Sequence, residues 1–333
     1  MINGVFHLKI TRQALKHILK LFLGIAIIAA IFIYTGLDKS VAILLKTDLT
    51  LLSSAFIIFS ASWIFRAARL RSLFHEYRIR DIKNEDVYKT NFAANALNIV
   101  LPLKLGDISQ MYIFHTKFKI PLKESVISVI YTRIFDILAL SIIGFTTLML
   151  VMSERSIQNF STYIAIFLLM ISATAFVTSS TVQAQLVQYI GKNRPTLSKI
   201  ILSFRLSRKC RAISMIYSLL AWIMEGLTTY VVFRSLGQDI PLSIAFLGLA
   251  VANMVKIIPA TPGGIGLFEG TMAILYVSFG VNPNTAIVAA TLDHLVKNIN
   301  VLIFGIPSLI SYKYDTTLLN RWKEKVKRTI FNT

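Results

Sequence analysis

The chain of 333 residues is 55% hydrophobic and only 15% charged, with a mean hydropathy of +0.66. Several uncharged apolar runs reach the ~20 residues needed to cross a bilayer, which excludes a soluble globular domain and predicts an all-α polytopic membrane protein. Lys and Arg total 35 against 16 acidic residues, a formal charge of +19. Those charges fall in loops and termini without a stacking or groove-reading pattern. They therefore exclude nucleic acid as a partner and mark positive-inside topology and attraction to anionic headgroups. A single cysteine, Cys210, excludes an internal disulfide, and five scattered histidines lack metal-ligand spacing, so neither a metal nor a cofactor is expected.

Basic residues Lys9, Arg12, Lys16 and Lys20 precede the first apolar run, 20–37. No small-residue cleavage site follows, so the run is expected to be a retained helix leaving the cytoplasm, ending in a charge-neutral outer loop from Asp38 to Asp48. The second span, 49–70, ends among Arg66, Arg69, Arg71, Arg78, Arg80 and Lys83, which returns the chain to the cytoplasm. Residues 87–120 are apolar but interrupted by Pro102-Leu103-Lys104-Leu105-Gly106-Asp107 and flanked by basic clusters on both sides. A full crossing would put one cluster outside. Two limbs of about 10–15 residues, each rising roughly 15–20 Å, predict instead a re-entrant hairpin with its tip near the midplane.

The third span, 122–152, carries Arg133 and Asp136 near its middle, and the fourth, 160–178, returns to a basic cytoplasmic linker, 181–211. The fifth span, 212–235, contains Glu225. Segment 241–280 enters, breaks at Pro259 to Gly266 and goes back, a second re-entrant hairpin of opposite orientation. The sixth span, 284–312, holds Asp293, His294 and Lys297 and leads to a basic cytoplasmic tail, 316–333. Both termini are thus expected in the cytoplasm.

An internal repeat underlies this count. Trp63-Ile64-Phe65-Arg66 returns as Trp222-Ile223-Met224-Glu225, Pro102…Gly106 as Pro262…Gly266, and Arg133, Asp136 and Gly144 as His294, Lys297 and Gly305, at nearly constant offsets of 159, 160 and 161. Each half, 1–180 and 212–315, then has three spans and one hairpin. An odd number of crossings inverts the second half, the architecture of alternating-access transporters.

The stretch Ile258-Pro259-Ala260-Thr261-Pro262-Gly263-Gly264-Ile265-Gly266-Leu267-Phe268-Glu269-Gly270 concentrates the function in this reading. Its prolines and glycines break a helix at membrane depth, where unpaired backbone survives only against protein or a water-filled cavity. Arg133, Asp136, Glu225, Lys256, Glu269, Asp293, His294 and Lys297 fall at the same depth. Burying a charge there costs at least ~2.5–3.5 kcal/mol, so these groups should pair. Arg133 with Asp136 is a ready i,i+3 pair, and the opposite signs at repeat-related Arg66 and Glu225, and Asp136 and Lys297, imply bridges between halves. Two readings stand: static struts, or bridges that exchange during rocking. No nucleophile elbow, phosphate loop or other catalytic set is present, so no catalytic residue is assigned and an enzyme is not expected.

The residues Pro259 to Glu269 resemble the Pro-x-Thr-Pro-Gly-Gly-[Leu/Ile]-Gly-x-x-Glu signature of the flippase-like membrane domain of lysylphosphatidylglycerol synthases. Leu101-Pro102-Leu103-Lys104-Leu105-Gly106-Asp107 is similar to that family's Leu-Pro-x-[Arg/Lys]-x-Gly-[Glu/Asp] segment, and Arg133…Asp136 to its Arg-x-x-Asp. The similarity extends over about residues 10–315. It implies a domain that moves a lipid, such as an aminoacylated phospholipid or a polyprenyl-linked species, between leaflets. The sequence carries no synthase domain, so lysyl-phosphatidylglycerol does not carry over as substrate, and Gln110 stands where an Arg is expected.

Together these readings predict a cell-membrane lipid transporter. Arg133, Lys256, Lys297 and the Pro262-Gly263-Gly264 turn would hold an anionic or polyprenyl-phosphate headgroup. Asp107, Asp136, Glu225, Glu269 and His294 would act as gating or coupling charges, with Asp136, Glu225 and Glu269 pairing with the three cations when the site is empty. The alternatives are an accessory subunit presenting lipid to a separate lipid-modifying transferase, and an intramembrane lipid-modifying enzyme. Oligomeric state is not legible.

Overall fold

The computed structural model describes residues 36–101, 104–154, 206–257 and 261–312, with shorter pieces between 22 and 33 and at 167–172. The expected tail 316–333, most of the fourth span 160–178 and of the linker 181–211, much of the first span, and Pro102 and Pro259 lie outside the described residues. Every regular element described is helical: α1 (Leu37–Leu45), α2 (Leu49–Glu76), α3 (Asn84–Val100), α4 (Leu105–Thr116), α5 (Leu122–Glu154), α6 (Arg208–Ser235), α7 (Leu242–Val255), α8 (Leu267–Ser278) and α9 (Pro283–Ser311). A single 3₁₀ turn, Pro262–Gly264, lies between α7 and α8.

Four of these, α2, α5, α6 and α9, have 28, 33, 28 and 29 residues and are apolar enough to cross a membrane. At 1.5 Å per residue each exceeds ~40 Å, more than the ~30 Å hydrocarbon thickness. The chain is a multi-pass membrane protein. By contrast α3, α4, α7 and α8 have 17, 12, 14 and 12 residues, and none exceeds ~26 Å.

Helices α2 and α6 form the spine, packed antiparallel along their whole length. At one end the Asp48 amide donates to the Ser235 carbonyl at 2.8 Å. At the other, Glu76 accepts from the Ser207 amide at 2.6 Å and from its hydroxyl at 2.8 Å. The Asp48 carboxylate caps α2 by accepting from Thr50 and Leu51 amides, and Ser207 caps α6 through the Cys210 amide at 3.1 Å. Such caps satisfy amides that a helix start leaves without partners.

The short helices form two helix-break-helix units. In the first, α3 packs on α4. Gly106 makes this possible, since a Cβ there would lie 1.9 Å from the Ala94 carbonyl oxygen. The Gln110 amide donates to Asn91 Oδ1 at 2.5 Å and that of Asn98 to Asp107 Oδ1 at 2.8 Å, tying the limbs together. In the second unit α7 packs on α8, with Tyr276 lying over Gly248 and donating to the Ala245 carbonyl at 3.3 Å. Each unit leans on a long helix of the other half: α3 on α9, where Gly305 admits the Phe92 backbone, and α7 on α5. The two breaks also touch, the 3₁₀ turn resting on the end of α3 where Ile99 faces Gly263.

Three expectations need correction. The expected loop from Asp38 to Asp48 contains α1, whose apolar Val41-Ala42-Ile43-Leu44-Leu45 run continues helically after Gly36 turns the chain at φ 97°. The linker ends earlier than 211, because Ser207 caps α6 and its first turn starts at Arg208. Most consequentially, the second span does not stop at 70. It continues to Glu76, so Arg66 and Arg69, expected at its cytoplasmic end, lie well inside the bundle, at 9% and 3% exposure. They remain inside because two carboxylates await them, as described below.

Gly106→Ala tests the first unit. The added methyl meets backbone rather than a movable side chain, so it should destabilise the purified protein by at least ~2 kcal/mol, read as a lower Tm. Gly237→Ala, with nothing within 4 Å of its Cβ position, should show only the ~1 kcal/mol strain of a positive φ.

Candidate functional site

The middle of the spine brings charged side chains of α2, α5 and α6 together. Arg66 and Glu225, 159 positions apart, form a short ion pair, and the Arg66 guanidinium lies between the indoles of Trp63 (5.4 Å) and Trp222 (4.7 Å). One turn along α2, Arg69 binds Asp136 of α5 through two bonds of 2.6 and 3.2 Å and donates to Ser218 at 2.8 Å. Asp136 also accepts from the Trp222 indole at 3.0 Å and from Arg66 at 3.5 Å. Both carboxylates are thus desolvated but paired, Asp136 through several bonds and Glu225 through Arg66, the condition under which a buried charge persists.

A second layer surrounds this one. Arg133 grips Asp107 in bidentate fashion, through Nε at 2.8 Å and a shorter Nη2 contact. Its expected local partner Asp136 is further away, at 3.6 Å. Lys297 donates to Asp293 at 2.7 Å, one helical turn away, and to Thr229 at 3.1 Å. Glu269 closes the N-terminus of α8 by accepting from the Gly266 amide at 2.8 Å, while its other oxygen lies 2.7 Å from His294 Nδ1. Lys256 donates to His294 Nε2 at 3.2 Å. With an ammonium donating to Nε2, the neutral imidazole carries its proton on Nδ1 and gives it to Glu269.

These layers wall a cavity of about 350 Å³ between the two breaks. Of the expected site residues it is lined by Arg133, Lys256, Lys297, Gly263, Gly264, Asp136, Glu225 and His294, joined by Arg66, Lys104, Trp63, Trp222 and four asparagines, Asn95, Asn98, Asn253 and Asn298. A larger groove of about 750 Å³ runs between α2, the start of α3 and the start of α6. Its charges, such as Arg71, His75, Glu76 and Glu85, lie at helix ends. The chemistry concentrates in the smaller cavity, where the charged groups are held in the protein interior.

Several expected roles change. Pro262, Asp107 and Glu269 do not line the cavity; they stand one layer behind it, Pro262 opening the turn and the two carboxylates holding Arg133 and His294. Asp136, Glu225 and Glu269 do not pair with Arg133, Lys256 and Lys297 as their main partners. Arg66 and Arg69 outcompete them for Asp136 and Glu225, because an arginine one turn from another presents two forks to the same side of α2. The Gly264 amide is already spent on the Thr261 carbonyl at 3.2 Å. What Gly264 supplies is room, since a Cβ there would sit 2.7–3.0 Å from the Lys256 stem. Gln110 is 3% exposed and spent on Asn91.

Sequence reading missed Asn253 and Asn298 as lining residues, and named Lys104 only as part of the first break. Lys104 holds a left-handed backbone (φ 53°) at the first break. A non-glycine residue held at such a φ costs about 1–2 kcal/mol. Among the described residues, neither Lys104 nor Lys256 has a carboxylate within salt-bridge distance. The five carboxylates Asp107, Asp136, Glu225, Asp293 and Glu269 are taken by Arg133, Arg69, Arg66, Lys297 and His294. Two ammonium groups are left over, one at each break.

A family profile described as the lysylphosphatidylglycerol synthase TM region matches residues 21–305. The chain belongs to this family. Among curated relatives it is 23% identical over 340 residues to Glycosyltransferase AglD of Haloferax volcanii, covering 89% of this chain and 54% of that protein. The chain therefore spans about half the length of that relative. It is 22% identical over 332 residues to a UPF0104 membrane protein of Pyrococcus horikoshii, covering 89% and 95% of the two chains. A third, from Methanocaldococcus jannaschii, is 22% identical over 240 residues, covering 69% and 98%.

Asp136→Ala should leave Arg69 buried without its counter-charge and destabilise the protein by about 3–5 kcal/mol. Asp136→Leu combined with Arg69→Met, which removes both charges, should recover most of that loss in a thermal unfolding measurement.

Proposed function

We propose that the chain is a lipid transporter of the cell membrane rather than an enzyme, moving an anionic or polyprenyl-phosphate lipid between leaflets by alternating access. The observation that carries this reading is the cation-rich cavity enclosed between two helix breaks and lined from both halves. A headgroup in such a place is out of the bilayer's hydrocarbon, while its acyl chains can stay there. The short limbs α3, α4, α7 and α8 favour re-entrant hairpins over full spans. The antiparallel course of α2 and α6, whose Trp63 and Trp222 are repeat-related, favours an inverted repeat, as does the crossed packing of α3 on α9 and α7 on α5. In this reading both termini are cytoplasmic. The Arg66–Glu225 bridge joins the halves at their pivot, and Arg69–Asp136 braces it from within the first half.

A second reading, an accessory subunit that presents lipid to a transferase, draws on one observation: a relative named as a glycosyltransferase shares this chain's length as about half of its own. Under that reading a separate lipid-modifying transferase is the partner.

Reconstitution separates the two. Vesicles containing the purified chain and a fluorescent anionic phospholipid should expose inner-leaflet dye to an outside quencher at least about tenfold faster than protein-free vesicles, a barrier change of ~1.4 kcal/mol or more. Lys256→Ala should remove most of that acceleration. Lys89→Ala, which breaks an exposed i,i+4 pair with Glu85 on α3, should leave it intact. Quenching no faster than in empty vesicles contradicts the transporter reading and favours the accessory one.

A further inference from the structure

We infer that the headgroup accepted by the cavity is a phosphate ester bearing hydroxyls and no amine: a polyol phosphate rather than an aminoacylated one. This inference rests on the transporter reading for its site and goes beyond it in naming what the site selects.

The argument starts from which groups are already taken. Among the described residues, every carboxylate at the cavity or directly behind it is bound to a cation or a neutral histidine of the chain itself, so none of these is left without a partner to receive an ammonium on a ligand. The free charges are of the other sign. Lys104 and Lys256 both line the cavity, are only partly buried, and lack carboxylate partners among the described residues. Lys256 commits one proton to His294 and lies 5.2 Å from the centre of the Phe268 ring, an arrangement that holds the ammonium in place without neutralising it. Two ammonium groups, one from each break, suit a phosphate, whose oxygens accept from more than one side. A lysyl or other amino headgroup would bring a further cation against Lys104, Lys256 and Arg133, with no counter-charge to receive it.

The neutral lining specifies the rest. Asn95, Asn98, Asn253 and Asn298 border the same space. The side-chain amides of Asn95 and Asn253 donate to carbonyls of their own helices, at 2.9 Å to Asn91 and 3.0 Å to Leu249, which fixes their orientation. Their carbonyl oxygens, and both ends of Asn298, have no partner among the described residues. Carboxamide groups are both donors and acceptors, matched to hydroxyls, which are the same. A site built to bond hydroxyls discriminates against a ligand lacking them, because its own polar groups would then be left unpaired.

The test is native mass spectrometry of the full chain in mild detergent, offered equal amounts of phosphatidylglycerol, lysyl-phosphatidylglycerol and phosphatidic acid with the same acyl chains. Phosphatidylglycerol should be retained at least about tenfold over its lysyl ester, and Lys256→Ala and Lys104→Ala should each lose that retention while Lys256→Arg keeps it. Asn298→Ala should narrow the preference for phosphatidylglycerol over phosphatidic acid. Equal or better retention of the lysyl ester by wild-type protein overturns the inference whatever the variants do. Water-soluble glycerol phosphate, added alone, separates the two sources of the ligand: competition by it at concentrations like those of the lipid assigns the site to a free ester, and failure to compete assigns it to a lipid. The transporter reading fails separately. Selective retention without accelerated translocation contradicts transport and leaves the headgroup assignment standing, whereas translocation without headgroup preference does the reverse.

Discussion

A charge inside a membrane protein must find a partner, and this constraint organises the rest of the molecule. Two arginines one turn apart on α2 enter the core only because Glu225 and Asp136 reach them from α6 and α5. Those bonds draw three long helices together at mid-length. Around that centre the remaining pairs repeat the logic locally: Arg133 with Asp107, Lys297 with Asp293, His294 with Glu269. A bundle held this way is specific rather than merely apolar, since a shifted helix would separate several buried charges at once. The two lysines without a carboxylate acquire their meaning against this background of pairing.

The second constraint is the backbone. Helix breaks at depth leave amides and carbonyls without helical partners, and here side chains and turns answer them. Glu269 takes the Gly266 amide and Thr261 donates its hydroxyl to the Ile265 carbonyl at 2.8 Å. Glycine adopts without a Cβ penalty what other residues adopt only under strain: Gly263, Gly264 and Gly266 all have positive φ. Gly266 in addition meets Gly24 of the first helical piece so closely that a Cβ would lie 2.6 Å from its carbonyl oxygen. The motif thus builds a rigid turn beside a lysine, not a loose loop. Lys104, left-handed at the other break, holds a conformation that local preference disfavours, which places strain next to the cavity.

Much of this was legible in the sequence. Length and hydropathy gave the long helices, proline and glycine gave the breaks, and the Arg66–Glu225 pairing followed from opposite signs at repeat-related positions. What the sequence hid was competition. Arg69 read only as an end-of-span charge because positive-inside reasoning treats an arginine at the end of an apolar run as a stop, and no local signal reveals a carboxylate waiting 67 residues away. The same blindness assigned Asp136 to Arg133 by proximity along one helix, when Asp107 offers Arg133 a two-pronged grip. Asn253 and Asn298 were invisible because an isolated asparagine in an apolar run looks like helix–helix glue. Only the meeting of the two breaks turns four of them toward one space.

The most direct test of the account is an electron cryomicroscopy map of the chain in nanodiscs containing a phosphate-bearing, hydroxylated lipid. The account predicts headgroup density spanning the gap between the Lys104 and Lys256 ammonium groups, with Arg66–Glu225 and Arg69–Asp136 still paired beneath it. Lipid density confined to the outer surface of the bundle, with Lys104 and Lys256 turned onto carboxylates of the chain, would contradict it.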